Sequence, residues 1–137
     1  MTTSKLPEHA TAVTAPVSVL LPADVTAPAI ARHTVRDVLL RHGCGQDRLA
    51  DVLLATSELV TNAVEHGERP ERLELLFDDE RLTLRVHDTG STTPQLRFPG
   101  PTEARSRGLQ LVRAVAEDWG FERRPSGKYV WAVFSLA

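Results

Sequence analysis

The stretch Glu58-Leu59-Val60-Thr61-Asn62-Ala63-Val64-Glu65-His66-Gly67 sets an acid, an amide and an imidazole four residues apart, at Glu58, Asn62 and His66. In a helix that spacing puts all three on one slowly drifting face. Polar groups on a half-buried helix are costly unless they have partners. A bound metal–phosphate group is one such partner, and water at the edge of an ordinary amphipathic helix is another. His66 stands next to the helix end and reads as a cap for the last carbonyls. Zinc does not fit, because no cysteine or second histidine lies at ligand spacing.

The run that carries these groups is apolar-periodic. Leu49, Val52, Leu53, Leu59, Val60, Ala63 and Val64 recur at helical spacing. Asp47 opens this helix, and Gly67 followed by Pro70 closes it. Before it, residues 17–21 read as a first strand ended by Pro22. A helix follows, capped by Asp24 or Thr26, with Pro28 in its first turn and a stripe of Ala31, Val35, Val38 and Leu39. It stops near Gly43. Residues 73–77 and 82–86 read as a hairpin around Asp78-Asp79-Glu80-Arg81, although the Asn-Gly or Asp-Gly signal is missing. Residues 91–105, broken by Pro94, Pro99, Gly100 and Pro101, read as a loop. Residues 108–116 regain helical spacing. Residues 119–122 and 129–136 are two last strands joined by a turn at Arg124-Pro125-Ser126-Gly127. Residues 1–16 read as a mobile N-terminal tail, and residues 17–137 as one domain. The order predicts an α+β two-layer sandwich, with a mixed, mostly antiparallel sheet covered on one face by three helices.

Composition narrows the function classes. At 137 residues the chain is one domain by length, and it can bury about two-thirds of its surface. A hydrophobic fraction of 42% and a charged fraction of 25% are those of an ordinary globular protein. A net charge of -2 gives no electrostatic case for nucleic acid or an anionic membrane. No apolar run approaches the roughly 18 residues of a membrane helix. Cys44 is the single cysteine, so no intrachain disulfide forms, and a cytoplasmic setting fits. Cys44, flanked by Gly43 and Gly45, reads as an incidental thiol. Lys5 and Lys128 are the only lysines, so arginine or backbone must supply most positive charge to any bound phosphate.

Two further motifs follow the acid–amide helix. His87-Asp88-Thr89-Gly90 stands just after an alternating strand. Ser106-Arg107-Gly108-Leu109-Gln110-Leu111-Val112 joins the irregular loop to a helix start, where backbone N–H groups and the helix dipole favour an anion. A glycine, Gly127, precedes the last strand in Gly127-Lys128-Tyr129-Val130-Trp131.

With these motifs in this order, residues 17–137 resemble the small bacterial members of the ATPase superfamily shared by gyrase, heat-shock chaperones, histidine kinases and mismatch-repair proteins. The nearest likeness is to anti-sigma-factor serine/threonine kinases. The resemblance implies a Bergerat-type ATP-binding fold, with ATP and Mg2+ as cofactors. It implies that Asn62 binds magnesium and that Glu58 acts as general base on the attacking hydroxyl, or orients it. It implies that Asp88 accepts a hydrogen bond from the adenine amino group and that Gly90 lets the backbone approach the base. Arg105, Ser106, Arg107, Gly108 and Leu109 are the implied phosphate segment. The family usually has glycine where Ser106 stands. It often has threonine after the glycine of the final element, where this chain has Lys128 and Tyr129.

The function this implies is an ATP-binding regulatory protein. It would transfer a phosphoryl group to a serine or threonine of a small anti-sigma-factor antagonist. The alternative is a non-catalytic, nucleotide-dependent module that sequesters a sigma factor or another regulator. A third is a domain that has lost nucleotide binding. Family members commonly form homodimers. Histidine autokinase activity is disfavoured, because the chain has no room for a separate helical hairpin carrying a phospho-acceptor histidine. His33 and His42 read as surface residues of the first helix, and Trp119 and Trp131 as packing residues.

Overall fold

The computed structural model describes residues 16–66, 69–90, 112 and 114–136. Strand β1 (Val17–Leu20) leads into helix α1 (Ala27–Arg41), then helix α2 (Gln46–His66). Strands β2 (Pro70–Asp78), β3 (Arg81–Asp88), β4 (Asp118–Arg124) and β5 (Gly127–Ser135) follow. The strands form one sheet in the order β1-β2-β3-β5-β4. All four pairings are antiparallel, so the expected mixed sheet is fully antiparallel among the described residues. Two helices are described rather than the three expected. Most of the span 108–116 lies outside the described residues. Within it Val112, Ala114 and Val115 are helical, and the Ala116 N–H donates to the Val112 carbonyl at 2.8 Å.

The helices form where their stripes meet the sheet. Ala31, Val35, Val38 and Leu39 of α1 are buried, as are Leu49, Val52, Leu53, Leu59, Val60 and Ala63 of α2. They pack on three apolar rows that run across the sheet by cross-strand register. One row is Leu73, Val86, Val130 and Phe121; the next is Leu75, Leu84, Ala132 and Trp119; the third is Phe77, Leu82 and Phe134. Every one of these side chains is buried in a single core with the helices.

Local chemistry ends the elements. Pro28 sits in the first turn of α1, but Thr26, at the N-cap, makes no side-chain cap bond. Asp24 is the residue that works there: its carboxylate accepts from the Thr26 N–H at 2.8 Å and from the Thr26 hydroxyl. Gly43, at φ 74°, closes α1 in a left-handed turn. Its N–H donates to the Leu40 carbonyl and that of Cys44 to the Leu39 carbonyl, both at 3.1 Å, which is a Schellman motif. His42 is exposed, as expected, and it also makes specific contacts. Its ring stacks on Phe77 at 4.0 Å and 5°, and its Nδ1 lies 3.0 Å from the Val38 carbonyl. The β2–β3 turn works without glycine because Asp79 takes φ 51°, a conformation aspartate tolerates better than most residues.

Candidate functional site

Period-two alternation carries the core face of β3 and β5 one row past Val86 and Val130. The partners in that next row are Asp88 and Lys128. The apolar face thus ends in a charged pair. Lys128 Nζ donates to Asp88 Oδ1 at 2.9 Å, with side chains only 3% and 2% exposed. The Gly90 N–H donates to the same oxygen at 2.7 Å, an Asx-type turn that fixes the carboxylate. The Thr89 N–H donates to the Arg69 carbonyl at 3.0 Å and ties the strand end to the start of β2.

Gly127 lets the two strand ends meet. A Cβ there would lie 2.1 Å from the Asp88 carbonyl oxygen and 2.8 Å from the Thr89 Cα. Its φ of 146° also disfavours a side chain. A polar recess of about 230 Å³ opens at this end of the sheet. Asp88 and Lys128 line it together with His87, Arg124, Ser126 and Gly127, and with Glu71 and Arg72 of β2. That volume is below the roughly 300–1,000 Å³ of most small-molecule sites, room for one end of a nucleotide-sized molecule rather than the whole.

Glu58 and Asn62 sit one turn apart on α2, and both are half-buried beside the fully packed Leu59, Val60 and Ala63. Helix α2 packs on the sheet face that ends in Asp88, but neither Glu58 nor Asn62 lines the recess among the described residues. An amide oxygen suits a hard cation. Among the described residues no group of three His, Cys, Asp or Glu is placed to hold a metal. The phosphate segment of Arg105, Ser106, Arg107, Gly108 and Leu109 lies outside the described residues, as does the His66 side chain.

The opposite face of the sheet carries a charge network that alternation alone did not reveal. The Glu74 carboxylate meets His87 Nε2 at 2.6 Å and Arg85 Nη2 at 3.1 Å. The His87 and Tyr129 rings lie 5.1 Å apart, and the Tyr129 hydroxyl donates to Glu122. Burial raises the Tyr129 hydroxyl, helped by that bond. Burial pushes His87 below its ordinary 6.5, outweighing the bond to Glu74. Burial would raise Glu74, but the His87 bond and the Arg85 and Arg72 charges hold it below its ordinary 4.5. Both shifts have one sign. The unfolded chain takes up protons that the fold does not, so stability is present above the unfolded values and lost as pH falls. The thermal midpoint should drop between about pH 7 and about pH 5, and His87→Gln should flatten that slope. An unchanged slope in the variant would contradict this assignment. Burial raises the Cys44 thiol against the opposing Arg48 charge, which lowers its thiolate fraction.

Trp119 and Trp131 both pack, but on opposite faces. Trp119 lies in the core with the helices, and Trp131 lies with Tyr129 and Val133 on the other side. Among the described residues no helix is long and apolar enough to cross a membrane.

Comparison with known proteins agrees with this fold. The fold is similar to the crystal structure of the RsbU and RsbW domains of Rv1364c from Mycobacterium tuberculosis. The TM-score is 0.68 at 22% identity, over 90% of this chain and 32% of that one. The chain thus spans about a third of that protein's length, and at this identity the likeness is one of fold. Among curated proteins none matches the sequence. Residues 21–134 match the histidine kinase-like ATPase domain. The match takes in Glu58, Asn62, Asp88 and Gly127, and the chain belongs to the histidine kinase-like ATPase domain family.

Proposed function

We propose that this chain binds Mg-ATP and acts as a serine/threonine protein kinase on a small anti-sigma-factor antagonist. The observation that carries the reading is Asp88, a buried carboxylate held by Gly90 where the core face of the sheet ends. Both of its bonds among the described residues fall on Oδ1, so Oδ2 is the oxygen on which an adenine amino group would land. The triphosphate would run toward α2. Asn62 would hold the magnesium, which when bound neutralises phosphate charge. Arg105, Ser106, Arg107, Gly108 and Leu109 would supply N–H groups and positive charge. Glu58 would accept the proton of the attacking hydroxyl or orient it. Because phosphoryl transfer depends mainly on positioning and charge neutralisation, these few groups suffice. A cytoplasmic setting and a homodimer accord with this role.

Incubating the protein with labelled ATP and a cognate antagonist should label the antagonist, and Glu58→Ala should lower that rate by about 100-fold or more. ATP binding without transfer to any antagonist would favour the second reading, a module that sequesters a sigma factor when nucleotide is bound. Lys128 motivates that second reading, since it already occupies one oxygen of the base-binding carboxylate. There Glu58→Ala would leave the regulatory output unchanged, while Asp88→Asn would abolish it.

A further inference from the structure

We infer that Lys128 is a base-reading residue: its ammonium donates to a purine ring nitrogen beside the amino group received by Asp88. The inference rests on the proposed nucleotide site and adds to it a contact specific to this chain. Lys128 is buried, lines the recess, and has Asp88 Oδ1 at 2.9 Å as its acceptor among the described residues. An ammonium carries three donors. Leaving buried donors unmade is costly, and a buried ion pair is in itself a poor stabiliser compared with apolar packing. The rows immediately inward, Val86 with Val130 and Leu84 with Ala132, show the apolar packing that this position forgoes. Acceptor and donor thus stand side by side in one recess. A 6-aminopurine offers their complement: an amino donor with a ring-nitrogen acceptor on either side, N1 or N7. Gly127, without a Cβ, lets the ends of β3 and β5 approach closely enough to set the pair side by side.

The test is calorimetric titration of ATP, 1-deaza-ATP and 7-deaza-ATP, each with magnesium, into the wild-type protein and Lys128→Met. One of the two deaza analogues should bind the wild type at least about 10-fold more weakly than ATP, the scale of a hydrogen bond from a charged group. That penalty should vanish in Lys128→Met. A purely structural lysine would lower all three affinities together and leave their ratios alone. No penalty in the wild type, or an equal penalty in both proteins, overturns the inference while ATP binding stands. Absence of ATP binding to the wild type overturns the proposed site itself, so the two failures are distinct. If Lys128→Met does not fold, Lys128→Gln, which keeps a neutral donor within reach of Asp88 but no ammonium, takes its place, with the same loss of the penalty predicted.

Discussion

Gly127→Ala should destabilise the fold by about 3 kcal/mol, near the upper end of the cost of overpacking. The methyl group would meet backbone, not a flexible side-chain tip: the Asp88 carbonyl oxygen at 2.1 Å and the Thr89 Cα at 2.8 Å. Relief requires the ends of β3 and β5 to separate, which breaks the register that sets Lys128 opposite Asp88. Chemical denaturation should show the loss as a lower midpoint with little change in slope. Nucleotide affinity should fall as well, because the recess is built on that close approach. Gly43→Ala is the control. No atom lies within 4 Å of a Cβ at Gly43, so only its φ of 74° is strained, and the loss should be about 1 kcal/mol. Equal losses at the two glycines would show that crowding at Gly127 is not what matters.

Removing one member of the Asp88–Lys128 pair should cost about 3–5 kcal/mol, because it leaves an uncompensated charge in the interior. Both side chains are almost wholly buried, so solvent screening gives little relief. Asp88→Leu and Lys128→Met should each lower the denaturation midpoint strongly, whereas the double variant should recover most of the loss. Nucleotide binding should separate the effects. The double variant, though folded, should bind ATP far more weakly than the wild type, since the carboxylate that would receive the amino group is gone. Recovery of both stability and ATP binding would mean that the pair is structural only.

The core was legible in the sequence, and the pairing of its strand ends was not. Leu49, Val52, Leu53, Leu59, Val60 and Ala63 repeat at helical spacing, and each of them is buried. Leu82, Leu84 and Val86 alternate with Thr83, Arg85 and His87, and the first set faces the helices. Glu58 and Asn62 share a flank of α2 because four residues are about one turn. The contact of Lys128 with Asp88 spans 40 positions and depends on β5 lying beside β3. The chain reaches that arrangement by passing to the outer strand β4 first, and local pattern does not encode such a crossing. The bond of His87 to Glu74 depends on the hairpin register set at Asp79 and Glu80, where aspartate stands in for the usual glycine. Alternation marked His87 as facing away from the core, but its partner follows only from that register.

The most direct measurement is calorimetric titration of ATP with magnesium into the wild-type protein and into Asp88→Asn. The wild type should bind with a dissociation constant below about 1 mM, equivalent to at least about 4 kcal/mol. The variant, shown to be folded by circular dichroism, should bind at least about 10-fold more weakly, as expected when a charged acceptor is lost. Undetectable binding to the wild type at about 1 mM nucleotide, or equal affinity in the two proteins, would contradict the assignment of Asp88 as the adenine-binding carboxylate.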